Sequence, residues 1–136
     1  QNIDENEIPC PILAYSFSKI KNEKDIKNSN KNYVILRLGS VYGYSTDTMR
    51  INIMPNLFSK IASQNGTIKL FSGGKQIKSL VPLIDVVRCM KFMGDNEKIN
   101  KEIFNLVKDS VTVKKVAEIC KKYKQVHGRT KAMEAC

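Results

Sequence analysis

The 136 residues suffice for one domain with a real core, and a hydrophobic content of 42% is that of a globular chain. No apolar run approaches the ~18 residues of a membrane span, and the start, Gln1 to Glu7, is polar and acidic, unlike a signal peptide. The net charge of +10 invites a nucleic-acid partner, but 19 of the 23 basic residues are lysines scattered among Asn and Ile, and the tight clusters, Lys114-Lys115 and Lys121, Lys122 and Lys124, read as one solvated helix face.

Residues 11–27 predict a helix. Pro11 suits a first turn, where its missing N–H has no partner. Leu13, Phe17 and Ile20 follow at helical spacing as an apolar stripe, and Tyr15 and Lys19, four apart, share one face. A phenol beside an ammonium is an acid/base device. Five Tyr and 19 Lys would still produce about 0.7 such pairs by chance, so the spacing alone carries little.

A turn cluster at 28–32 leads to Tyr33–Leu38, where Val34, Ile35, Leu36 and Leu38 give the near-continuous apolar run of a strand buried on both faces of a parallel sheet. Residues 40–47 are expected to be a loop past the strand's carboxyl end, where ligands bind in open α/β sheets. A second helix is expected over 55–64, with Asn65-Gly66 as its stop. Residues 67–71 predict a short strand, 72–75 a hairpin turn and 80–84 another strand. Asp85 is expected to cap a helix over 86–93. Residues 102–107 predict a third buried strand, and Ser110 or Thr112 starts a helix with Val113, Val116, Ala117 and Cys120 on its apolar side. The tail from Gln125 gives no assignment.

Cys10, Cys89, Cys120 and Cys136 form no C-x-x-C pair, and His127 is the one histidine, so zinc-ligand spacing is absent. Four free thiols in a cytoplasmic protein are expected. The alternation of helices and strands predicts an α/β fold with a parallel core. Two central strands cannot cover Tyr33–Leu38 and leave no open edge, so further sheet is expected from sequence upstream or from a partner chain.

The ordered motifs resemble the C-terminal half of an extended short-chain dehydrogenase/reductase, in the NAD-dependent epimerase/dehydratase family acting on nucleotide sugars. Glu7, Pro11, Tyr15, Ser18, Lys19 and Glu23 resemble E…P…Y-x-x-S-K…E. Residues 36–43, LRLGSVYG, resemble R-x-x-N-x-Y-G. Residues 52–55 resemble the start of a substrate-lobe helix, 68–71 and 74–78 its strand and G-x-Q-x-R turn, 81–86 V-H-V-x-D-V, and 104–113 the F-N-v-g…t-v ending. The match covers about residues 4–123.

The resemblance implies the C-terminal part of a Rossmann-like doubly wound sheet (1–48 and 78–108) plus a small substrate-binding lobe (49–77 and 109–136), with the glycine-rich dinucleotide-binding half upstream. It implies Tyr15 as the catalytic acid/base. Lys19 would hold the nicotinamide ribose and favour the phenolate, while Leu38 and Val41 flank the nicotinamide. Ser40, Asn52, Lys69, Phe71 and Lys78 would line the site of a nucleotide-diphosphate sugar. The implied cofactor is NAD, with NADP as the alternative, and the implied assembly is a homodimer through the Tyr15/Lys19 helix. This chain has Ser40 where the family has Asn, Lys78 where it has Arg, and Pro82 where it often has His. Lys78 cannot grip a diphosphate bidentately. Rival readings are a catalytically silent nucleotide-binding relative and a basic nucleic-acid-binding module, the latter marked by steeply salt-dependent retention of DNA or RNA.

Overall fold

The computed structural model describes residues 4–131, with side chains through Tyr123. The end of the expected substrate lobe, 132–136 with Cys136, lies outside the described residues. The elements run α1 (Ala14–Lys27), β1 (Val34–Leu38), β2 (Ser40–Tyr42), α2 (Met54–Ser63), a 3-10 turn (Phe71–Gly74), β3 (Ile77–Pro82), α3 (Leu83–Gly94), β4 (Glu102–Leu106), β5 (Asp109–Thr112) and α4 (Val113–Lys131). Among the described residues no helix is long and apolar enough to cross a membrane.

The chain divides into two compact units. The first comprises Gln1–Arg37 and Arg88–Leu106. Here β1 pairs with β4 in a two-stranded ladder. The expected double burial of β1 is not seen: Val34 to Arg37 are half-buried, because one neighbouring strand covers only part of them. α1 begins at Ala14, three residues after Pro11. Its N-cap Leu13 is extended at φ −104° and ψ 148° with no side-chain cap. No residue of α1 is buried, and the expected stripe is open at Leu13 and Phe17, 67% and 58% exposed, while Ile20 is half-buried.

The second unit comprises Leu38–Val87 and Val107–Cys136. Its sheet has the order β2-β3-β5, with β2 parallel and β5 antiparallel to β3. Ser40 pairs with Leu80, and Lys78 with Val111. Residues 40–42 are therefore strand, not the expected loop. Gly39 permits this by close approach, since a Cβ there would sit 2.9 Å from the Ser79 carbonyl oxygen. α2 and α4 pack beside the sheet around buried Phe58, Ala62, Leu80, Val116 and Cys120.

Two expectations fail locally, and a third holds at Thr112 but not at Ser110. Residues 67–70 form no strand. Ile68 and Leu70 pack on the core cluster, so their alternation reflects burial without a ladder partner. α3 begins at Leu83, directly after β3, so Leu83 and Ile84 are helical and Asp85 lies in the first turn instead of capping. A carboxylate there still complements the helix dipole. Residues 109–112 are β5, and the helix starts at Val113. Thr112 ends the strand and also caps α4, its Oγ1 accepting the Lys115 N–H at 3.2 Å.

Candidate active site

Tyr15 lies in the first turn of α1 and is 71% exposed. The helical spacing brings Lys19 beside it: Nζ lies 5.3 Å from the Tyr15 ring centroid, over the aromatic face. Ser18 Oγ donates to the Tyr15 carbonyl at 2.8 Å, a local bond that keeps Ser18 on its own helix. Tyr15 and Lys19 line a groove of about 950 Å³ in the first unit, with Cys10, Glu23, Arg37 and Asn105 among its other walls.

Two of the residues lining that groove, Glu23 and Arg37, form an ion pair. Arg37 on β1 grips Glu23 on α1 with two bonds, Nη2 to Oε1 at 2.6 Å and Nε to Oε2 at 3.1 Å. Lys27 approaches the same carboxylate at 3.1 Å. Arg37 Nη1 donates to the Glu5 carbonyl at 3.0 Å, and Glu5 Oε1 accepts the Asn105 N–H of β4 at 2.7 Å. The Arg37 hydrogen bonds hold the Glu23 carboxyl below its ordinary pKa range, Lys27 adding to them against partial burial, and Glu23 pushes Arg37 up in turn. Sequence reasoning missed this clamp. Both residues stood in the quoted motifs, but a helix residue and a strand residue 14 apart carry no pairing signal until the two elements are docked.

The remaining candidates lie in the second unit or at its edge. Leu38 ends β1 and is 40% exposed. On β2, Val41 is half-buried opposite Val81, and Ser40 is exposed opposite Leu80 on the strand that also carries Lys78. Lys78 is exposed. Asn52 is exposed in the turn before α2, and Lys69 is exposed in the extended segment before the 3-10 turn. Phe71 opens that turn at 81% exposure. The structure thus joins Tyr15 to Lys19, and Ser40 to the Lys78 strand, while Asn52, Lys69 and Phe71 sit on separate surface segments. A second cavity, about 420 Å³, lies between residues 43–51 and α2 and is lined by Gly43, Tyr44, Met49, Asn56 and Lys60 among others. Asn56, which bonds both ends of the 43–50 loop, went unnoticed in the sequence because an Asn within an amphipathic helix looks like a solvated position.

Comparison with known proteins gives a consistent result. The family model for the NAD dependent epimerase/dehydratase family matches residues 1–106. A probable low-salt glycan biosynthesis reductase of Haloferax volcanii is 32% identical over 69 residues, 51% of this chain and 23% of that protein. The UDP-glucose 4-epimerase of Thermotoga maritima, solved with UDP-glucose, superposes with a TM-score of 0.76 at 25% identity, over 93% of this chain and 41% of that one. The Thermus thermophilus UDP-glucose 4-epimerase in complex with NAD gives a TM-score of 0.73 at 19% identity, over 87% of this chain and 40% of that one. The fold is the α/β, Rossmann-like fold of these epimerases, and the chain spans about two-fifths of the length of either.

Proposed function

Because the chain belongs to the NAD-dependent epimerase/dehydratase family, we propose that it forms the tyrosine-bearing and substrate-binding part of an enzyme that oxidises a carbon of a nucleotide-diphosphate sugar, as in epimerisation or dehydration. The observation that carries the reading is the pair Tyr15 and Lys19, side by side and open to one groove. Their donor set fits a nicotinamide ribose: an exposed ammonium for the hydroxyls, and a phenol next to it. NAD, when bound, supplies the hydride acceptor. Tyr15 exchanges the proton of the reacting sugar hydroxyl, and Lys19 orders the ribose. Leu38 and Val41 give the nicotinamide an apolar flank. Ser40, Asn52, Lys69, Phe71 and Lys78 contact the sugar nucleotide, Lys78 acting on its phosphates as a point charge. α1, with Leu13 and Phe17 exposed, is the surface through which two copies pair in the cytoplasm.

The test is turnover of UDP-glucose by the full-length protein with NAD or NADP. Tyr15→Phe is expected to cut turnover by about a hundredfold or more while NAD affinity stays within error. Lys19→Met is expected to weaken NAD binding and slow turnover together. Near-normal turnover in Tyr15→Phe would remove Tyr15 from the chemistry, and wild-type NAD binding without any turnover would favour the catalytically silent relative.

A further inference from the structure

Asn56 sits in the first turns of α2 at 9% exposure, among Pro55, Phe58, Ser59 and Ala62, all buried. An apolar side chain of the same shape would pack there as well, so the carboxamide needs a polar reason. Its Oδ1 accepts the Gly43 N–H at 3.1 Å, and its Nδ2 donates to the Arg50 carbonyl at 3.1 Å. The two partners belong to different structures. Gly43 directly follows β2, the strand of Ser40 and Val41. The Arg50 carbonyl also accepts the Ile53 N–H at 3.2 Å, closing a four-residue turn whose two central residues are Ile51 and Asn52.

We propose that Asn56 is a positioning residue for sugar-nucleotide recognition: one buried amide ties the end of β2 to the turn that presents Asn52, so that Asn52 meets a phosphate oxygen of a nucleoside-diphosphate sugar with its backbone already fixed. This rests on the reading of Asn52 as a substrate contact. Asn52 itself is exposed, which leaves its side chain open to a ligand while the turn beneath it is held at Arg50. Pre-ordering the turn removes an entropy cost that binding would otherwise meet.

The experiment is calorimetry of UDP-glucose on the full chain, with circular dichroism to confirm folding. Asn56→Leu, which removes both bonds, is expected to weaken binding about tenfold. Asn56→Asp keeps the acceptor for Gly43 but has no donor for Arg50, and is expected to lose as much; it carries the test if Asn56→Leu does not fold. Trypsin should cut after the exposed Arg50 faster in both variants. The decisive arm is Asn52→Ala. If Asn56 acts through Asn52, adding Asn56→Leu to Asn52→Ala causes no further loss of affinity. Wild-type affinity in Asn56→Leu, or losses that simply multiply, would overturn the inference while leaving the substrate reading intact. A wild-type chain that does not bind UDP-glucose would defeat the substrate reading first, and this inference with it.

Discussion

Glu23 shares its carboxylate between Arg37 and Lys27, and the Arg37 arm is the forked, charge-assisted kind. At 15% and 24% side-chain exposure, Glu23 and Arg37 are only partly screened. Removing one partner leaves the other's charge poorly compensated, so Glu23→Gln is expected to cost about 1–3 kcal/mol at neutral pH, read from chemical denaturation. The pH dependence has a definite sign. The folded-state pKa of Glu23 is depressed, so its contribution is complete above the unfolded value of about 4.3 and is lost as pH falls through the folded value. Arg37 is raised and stays charged throughout, adding no slope in acid. The gap between wild type and Glu23→Gln should therefore narrow as pH falls through the depressed folded-state pKa of Glu23. A gap that persists in acid would show that the pair acts by shape and not by charge. The candidate Tyr15 and Lys19 were legible in the sequence because helical spacing fixes a local pair; the Glu23–Arg37 clamp and the Asn56 staple were not, because each joins elements whose docking no local pattern encodes.

Among the elements, those with long-range local patterns were readable: α1, β1, α2 and β4 fall within a few residues of their expected bounds. The two short strands were not. β2 has three residues and β5 four, and Asp109 to Thr112 carries no alternation beyond a single Val. Both exist because β3 offers them a ladder on either side. The turn before β3 was legible as a turn, although no strand precedes it. Ser72, Gly73 and Gly74 all have positive φ, at 48°, 67° and 69°. At Gly74 a Cβ would also stand 2.8 Å from the Lys114 backbone nitrogen at the start of α4, whereas at Gly73 it would meet nothing within 4 Å. Gly73→Ala is expected to cost about 1 kcal/mol of backbone strain. Gly74→Ala should cost about 2–4 kcal/mol, because rigid backbone must also move. Equal losses, measured by thermal melting, would mean that the 3-10 turn and α4 do not touch as closely as described.

At the scale of the whole chain, the α/β class and the family were legible, since motif order survives even where individual residues such as Ser40, Lys78 and Pro82 depart from the pattern. What periodicity could not supply was which apolar positions this chain itself covers: the stripe of α1 stays open at Leu13 and Phe17 while that of α4 closes over Val116 and Cys120. Cys120, at 3% exposure and 3.7 Å from Ser59 Oγ, is wedged between α4 and α2, whereas Cys10 is exposed and Cys89 is intermediate. These thiols amount to a built-in clock for opening. A thiol reagent followed by peptide mass spectrometry should modify Cys10 at once and Cys89 more slowly. Cys120 should react only when the two helices part, at a rate set by the local opening equilibrium. Denaturant should erase the difference, and equal native rates at Cys10 and Cys120 would refute the α2–α4 packing. Because Asn56 lies on the same helix that shields Cys120, the lag before Cys120 reacts would also register any ligand that tightens α2, with no turnover required.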